Sequence, residues 1–339
     1  MLVKEKNILI IPISDSNNSH QKILIAQNKT LIISDIEKDK DTQDIFINKD
    51  KNTSLLLPDE ILSIHHLSSL HRILISCVNN KNLYLFDENI IYDKKKLEEF
   101  NIEKNALIFQ GNKKITSIID IEESKDKYFL LISDKFGEIS MKPIKSDETQ
   151  ENFAKEIKIV SGHCDTIVYF QKSKNDKLLL SSDNFGKIKI YNFPNIFNVI
   201  SVILYHEDEI KYVNFGGELD KCIIVLNKAD NIDIWSTYDF VNQNHFKLDF
   251  IENDEHIVDV KMINKNNNIV LLTNKKIILL AIDDNKYIIE KIKEINLKDL
   301  IKEENMDKYD SKFFDFEGKV YHLCINQEDN KIIKINSIL

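Results

Sequence analysis

The chain has 339 residues, 42% hydrophobic and 30% charged, with 46 Lys+Arg against 55 Asp+Glu and a formal charge of −9. The apolar share excludes wholesale disorder, and no run approaches the roughly 20 consecutive apolar residues of a membrane-spanning helix. The acidic balance repels phosphate backbones at long range and speaks against a lead role in binding nucleic acid.

The chain opens Met-Leu-Val-Lys-Glu-Lys-Asn and then a short apolar run, Ile8 to Ile11. It lacks the longer apolar centre and small-residue cleavage site of a signal peptide, so an intracellular protein is expected. Strand signals then dominate. Runs such as Lys22–Ala26, Arg72–Val78, Asn82–Phe86, Tyr128–Ser133, Lys177–Ser182, Lys187–Tyr191, Lys221–Asn227 and Asn231–Trp235 are bounded by Asn, Asp, Lys or Ser. In Lys187-Ile188-Lys189-Ile190 the alternation puts the lysines on one face and the isoleucines on the other. The connections are short, which suits antiparallel meanders rather than βαβ crossovers. Glycine (7) and proline (4) are scarce, so asparagine is expected to take over turn positions that glycine usually fills.

A repeat emerges from these runs. Ser133-Asp134-Lys-Phe-Gly137-Glu-Ile returns as Ser182-Asp183-Asn-Phe-Gly186-Lys-Ile, each copy following an apolar strand and leading into another. Weaker copies are Val78–Phe86, Asn227–Trp235 and Leu272–Leu279. A period of roughly 40–50 residues around a strand–turn–strand hairpin is the signature of a WD-type propeller. Asp134 and Asp183 can bond local backbone, and Gly137 and Gly186 supply positive φ. Gly162-His163 stands about twenty residues before the second hairpin, where a WD repeat carries its Gly-His.

Seven such units are expected, near residues 22–47, 61–92, 115–142, 165–203, 209–250, 256–292 and 318–338, in one all-β domain spanning 1–339. Residues 7–13 are left over as a strand that would complete the last blade and close the ring, removing an open edge. Three segments break the rhythm: 93–104 predicts a helical turn, 145–155 a mobile polar loop, and 296–307 a short amphipathic helix capped by an asparagine.

Chemical motifs are missing. The chain has no Gly-x-Gly-x-x-Gly, no Gly-x-x-x-x-Gly-Lys and no Gly-x-Ser-x-Gly. Cys77, Cys164, Cys222 and Cys324 are scattered with no CxxC, so small buried side chains are expected rather than zinc ligands. His65 and His66 are adjacent on a strand, so their side chains point to opposite faces and do not share an ion. His163 beside Cys164 could pair catalytically, but a hydrogen bond within its own blade is the simpler role. No enzyme, cofactor or metal is expected.

From residue 113 to about 240 the chain resembles the non-catalytic WD-repeat subunit of the eukaryotic tRNA (guanine-N7-) methyltransferase. Lys114–Ile119 with Leu130–Ile139 resembles that family's Ala-Asp-Lys-x-Gly-Asp-Val strand pair. Gly162-His163-Cys-Asp-Thr-Ile resembles its Gly-His-x-Ser-Met-Leu, and Leu179–Ile190 its Thr-Ala-Asp-Arg-Asp-Glu-Lys-Ile-Arg motif. The family's Arg-Asp-Glu is replaced by Asn184-Phe185-Gly186. The resemblance implies a subunit that binds and stabilises a separate catalytic methyltransferase as a heterodimer, meets tRNA only through that complex, and works in the nucleus and also the cytoplasm. It assigns Lys187 and Lys189 to the partner-binding surface and leaves Asp183 to brace the turn. The alternatives are a WD-type scaffold in trafficking or ribosome maturation, and a propeller enzyme or lipid binder.

Overall fold

The computed structural model describes residues 8–14, 21–38, 45–47, 52–78, 81–111, 113–124, 127–153, 158–175, 177–193, 199–204, 209–252, 254–263, 268–301, 309–316, 319–326 and 332–337. Antiparallel sheets follow one another in chain order. The first sheet holds β1 (Ile8–Ser14), β2 (Gln21–Gln27), β3 (Thr30–Lys38), β4 (Ile45–Ile47) and β5 (Thr53–Leu56). The second holds β6 (Ile61–Leu67), β7 (Arg72–Cys77), β8 (Asn82–Asp87) and β9 (Leu107–Gln110). The third holds β10 (Ile115–Ser124), β11 (Lys127–Asp134), β12 (Glu138–Lys145) and β13 (Lys158–Gly162).

Next come β14 (Ile167–Lys172), β15 (Leu178–Asp183), β16 (Lys187–Asn192) and β17 (Val199–Leu204). They are followed by β18 (Ile210–Gly216), β19 (Cys222–Asn227), β20 (Asn231–Ser236) and β21 (Asn242–Lys247). The sixth sheet is β22 (Ile257–Ile263), β23 (Asn268–Thr273), β24 (Lys276–Asp283) and β25 (Ile288–Asn296). A three-stranded sheet of β26 (Tyr309–Phe316), β27 (Lys319–Asn326) and β28 (Ile332–Ser337) ends the series.

Two expectations are corrected here. Complete blades of four or more strands number six among the described residues, not seven, because the last sheet has only three strands. The N-terminal strand does not complete that last sheet either. It forms a hairpin with the strand that follows it, from Ile8 opposite Gln27 to Ser14 opposite Gln21. Its Ile13 is buried in the first blade's core, which pins this local pairing.

The chain divides into two compact units. One holds the three blades from β1 to β13 together with β28; the other holds the three blades from β14 to β25 and the hairpin β26–β27. Within each unit the first strands of successive blades lie side by side: β1, β6 and β10 in one, β14, β18, β22 and β26 in the other. Each blade therefore has a neighbour on its flank, and the apolar clusters form between blades. One cluster joins Leu24 and Ile33 to Ile64, Ile73 and Ile75, and another joins Ile188 and Ile190 to Val213, Ile223 and Val225.

Sandwiching explains why second strands read as unbroken apolar runs instead of alternating. β19 (Cys-Ile-Ile-Val-Leu-Asn) and β23 (Asn-Ile-Val-Leu-Leu-Thr) are buried at every position, since both faces meet another blade. Each such Ile, Leu or Val contributes about 1.5–3 kcal/mol on burial. At the far end of its meander β21, Asn-Gln-Asn-His-Phe-Lys, meets solvent and has no buried residue.

Among the described residues, the segments that broke the strand rhythm contain short helices. Residues 93–104 belong to a run of three short helices: α1 (Asn89–Tyr92), α2 (Lys94–Glu99) and α3 (Ile102–Asn105). The Asp93 carboxylate accepts from the backbone N–H groups of Lys95 and Lys96, and Asn101 caps α3 in the same way. The expected loop at 145–155 contains α4 (Gln150–Phe153), held because Phe153 is fully buried edge-on to Phe109, 6.4 Å between centroids. The expected helix after Asn296 is α5 (Leu297–Ile301), with Leu297 buried; the rest of that segment lies outside the described residues.

Candidate functional site

The two strongest repeat copies form the same turn. Asp134 accepts through Oδ1 from the N–H groups of Phe136 (2.8 Å) and Glu138 (3.1 Å), while the Gly137 N–H donates to the Asp134 carbonyl at 3.0 Å. Asp183 accepts from Phe185 (3.1 Å) and Lys187 (2.9 Å), and the Gly186 N–H donates to the Asp183 carbonyl at 3.2 Å. The fourth residue is left-handed in both, Gly137 at φ +80 and Gly186 at φ +76. The β19–β20 turn is a third copy: Asn227 accepts from the Asn231 N–H at 2.9 Å, and Asp230 takes the left-handed position at φ +59. Asparagine was expected at such positions, and Asn28 (φ +53) holds one between β2 and β3, while Asp230 and, between β7 and β8, Lys81 (φ +58) hold others.

Gly162-His163 is tied to the preceding blade, not the following one. Gly162 ends β13 opposite Glu138, and the His163 N–H donates to the Gly137 carbonyl at 2.7 Å. A Cβ at Gly162 would stand 2.7 Å from that same carbonyl oxygen, so only glycine permits the approach. His163 is buried, and Cys164 beside it is exposed; of the four free cysteines the other three are buried.

His65 and His66 use different carboxylates, as opposite faces require. His65 Nδ1 lies 2.7 Å from Asp120 Oδ1, and His66 Nε2 lies 2.6 Å from Glu88 Oε2. Glu88 is buried and also meets His71 Nδ1 at 2.7 Å. Burial alone would raise its carboxyl, but the hydrogen bonds and charges of His66 and His71 outweigh that and hold it below the usual range. Among the described residues no group of three or more His, Cys, Asp or Glu side chains is arranged to hold a metal ion. No helix among them is long and apolar enough to cross a membrane.

The blade β14–β17 carries the lysines singled out from the sequence. Ile188 and Ile190 are fully buried, whereas Lys187 and Lys189 are partly exposed on the opposite face. Asp183 sets the start of β16 through its bond to the Lys187 N–H, so the turn fixes where the lysines begin. In the register of the last two strands Lys187 lies opposite Leu204 and Lys189 opposite Val202. Val202 is 47% exposed, Val199 38% and Ile200 37%, and the turn projects Phe185 at 77% exposure. Two lysines thus stand on the blade's face, one strand in from an exposed apolar edge strand. Sequence reading found the lysines but not the apolar edge strand; its signal was the uncharged run Val199–Leu204.

No family model matches the chain, and no curated protein matches it. Solved structures do. A chain in the crystal structure of BBS1N in complex with ARL6DN matches with a TM-score of 0.63 at 12% identity, covering 97% of this chain and 92% of that one. A chain of the mitotic checkpoint complex matches with a TM-score of 0.56 at 10% identity, covering 81% of this chain and 74% of that one. At such identity the likeness shows fold alone. The protein is an all-β chain of antiparallel sheets in a β-propeller arrangement.

Proposed function

We propose that this WD-type propeller is a non-catalytic docking subunit, and that it holds a partner protein against the outer face of the β14–β17 blade. The carrying observation is the juxtaposition of Lys187 and Lys189 with exposed Val199 and Val202 in one register. Interface centres combine apolar area with a few charged groups that fix orientation. The partner inferred from the motif resemblance is the catalytic subunit of a tRNA (guanine-N7-) methyltransferase, which meets the tRNA while this chain stabilises the enzyme, in the nucleus. Lys187→Glu with Lys189→Glu is expected to weaken capture of that enzyme on the order of ten- to a hundredfold, since desolvated charged hydrogen bonds contribute about 1.5–3 kcal/mol. Circular dichroism should report an unchanged fold. Full affinity in the double variant would remove the assignment.

A second reading is a scaffold in some other assembly. It is favoured by the two structural neighbours, whose crystals are of a checkpoint complex and of BBS1N in complex with ARL6DN. Identification of the protein that copurifies with the chain separates the two.

A further inference from the structure

The outer strands of the complete blades differ in how they treat their free edge. An edge strand exposes a row of unpaired N–H and C=O groups, and proteins blunt such edges with charge, proline or short length. β4, β5 and β9 are three or four residues long. β13 is five residues long and begins with a lysine. β21 is polar and ends in a lysine, and β25 carries Glu290, Lys291, Lys293 and Glu294.

β17 has neither charge nor proline, and its one such device is a single-residue bulge of the kind that β13, β21 and β25 also carry. It reads Val-Ile-Ser-Val-Ile-Leu, six residues without charge or proline, four of them β-branched. Among the described residues it pairs with β16 on one side and with no strand on the other. The register shift between Ile190 and Tyr191 inserts Ile200, which leaves that side chain 37% exposed beside Val199 and Val202. In a chain with a charge of −9, this is a β-forming edge bordered by two lysines.

We propose that the free edge of β17 accepts an extended partner strand, adding a fifth strand to this blade, and that the strand alternates β-branched residues with acidic ones directed at Lys187 and Lys189. The inference rests on the reading above that this blade carries the partner. Main-chain pairing supplies affinity and alternate side chains supply register. An added strand would lie about 10 Å from β16, two strand spacings, a gap that a lysine and a glutamate bridge by reaching toward each other. Charge chooses the occupant. A second copy would have to bring two chains of charge −9 together, and a basic strand would be repelled by Lys187 and Lys189, whereas an acidic strand is attracted here although the chain as a whole repels it.

The test uses the full chain and two blocked synthetic peptides, one alternating Val and Glu, the other alternating Val and Lys, with amide hydrogen exchange followed across Val199–Leu204. The Val/Glu peptide is expected to slow exchange in β17 and to bind on the order of tenfold more tightly than the Val/Lys peptide. In Lys187→Glu with Lys189→Glu the preference should invert, and that gain of binding to Val/Lys also certifies a folded variant. Unchanged β17 exchange with both peptides, equal binding of both, or protection that rises with protein concentration and no peptide would overturn the proposal; the last outcome would assign the edge to a second copy. A parallel titration uses the methyltransferase catalytic subunit. If it binds without protecting β17, the edge inference fails and the docking reading stands. If it does not bind while the Val/Glu peptide does, the methyltransferase reading fails and the edge site stands.

Discussion

His322 provides a quantitative test of how tightly the second unit is packed. Its side chain is fully buried on β27, edge-on to Phe313 at 6.1 Å, with the Cys324 sulfur 3.6 Å from Nε2. Burial pushes its pKa down to about 4. In the unfolded chain histidine titrates near 6.5. Above about pH 6.5 the ring is neutral in both states and titration changes nothing. Between about 6.5 and 4 the unfolded state takes up a proton that the folded state refuses, so stability falls by about 1.4 kcal/mol per pH unit. From pH 7 to pH 5 the loss is about 2 kcal/mol, and it levels off below pH 4. Urea unfolding at pH 7 and pH 5 measures it, with His322→Leu as the neutral control of similar volume. The other histidines and the carboxylates are common to both proteins, so the pH-dependent difference isolates His322. If wild type and His322→Leu lose the same stability over that interval, the ring is solvated and the packing described for β26–β27 is wrong.

Three further substitutions test the turns and the joints between blades. Asp183→Ala removes both carboxylate bonds to the turn N–H groups and should lower unfolding stability by about 2–4 kcal/mol, with Asp183→Asn intermediate, as read by urea midpoints. Gly162→Ala forces a Cβ against the Gly137 carbonyl and should lower stability by about 1–3 kcal/mol, whereas an alanine on the exposed strand β21 should be near neutral in the same assay. Asp220 is buried and accepts from the N–H groups of Lys174 (2.5 Å) and Asn175 (3.2 Å), reaching from the β18–β19 loop to the loop of the adjacent blade. Asp220→Ala should therefore cost about 2–3 kcal/mol and raise amide exchange at 174–175.

Interior strands were legible because their chemistry is local. Lys187–Tyr191 and Asn231–Trp235 were read almost to the residue as β16 and β20, since apolar density and bounding turn residues mark any strand packed inside a stack of blades. The Asp-x-Phe-Gly turns were legible for the same reason. Their donors and acceptor lie within five consecutive residues. What failed depended on partners distant in sequence or on solvent. β21 carries no apolar signal because it packs on one side only. α4 is held by Phe153 reaching Phe109, a contact that the polar composition of 145–155 hides. Gly162-His163 was legible by its spacing, but the β12–β13 register that ties it to the preceding blade was not. The pairing of β1 with β2 was missed because its seven residues offer the same pattern to either end of the chain. At the candidate site, alternation put Lys187 and Lys189 on one face and the motif resemblance assigned them to partner binding, but the exposure of Val199 and Val202 follows from β17 ending its sheet.

The docking role itself is tested most directly by purifying the tagged chain from its own source and weighing what accompanies it. The account predicts a near-stoichiometric S-adenosylmethionine-dependent methyltransferase that is lost when Lys187 and Lys189 are both replaced by glutamate. A coat or ribosomal assembly retained equally by both forms would contradict it.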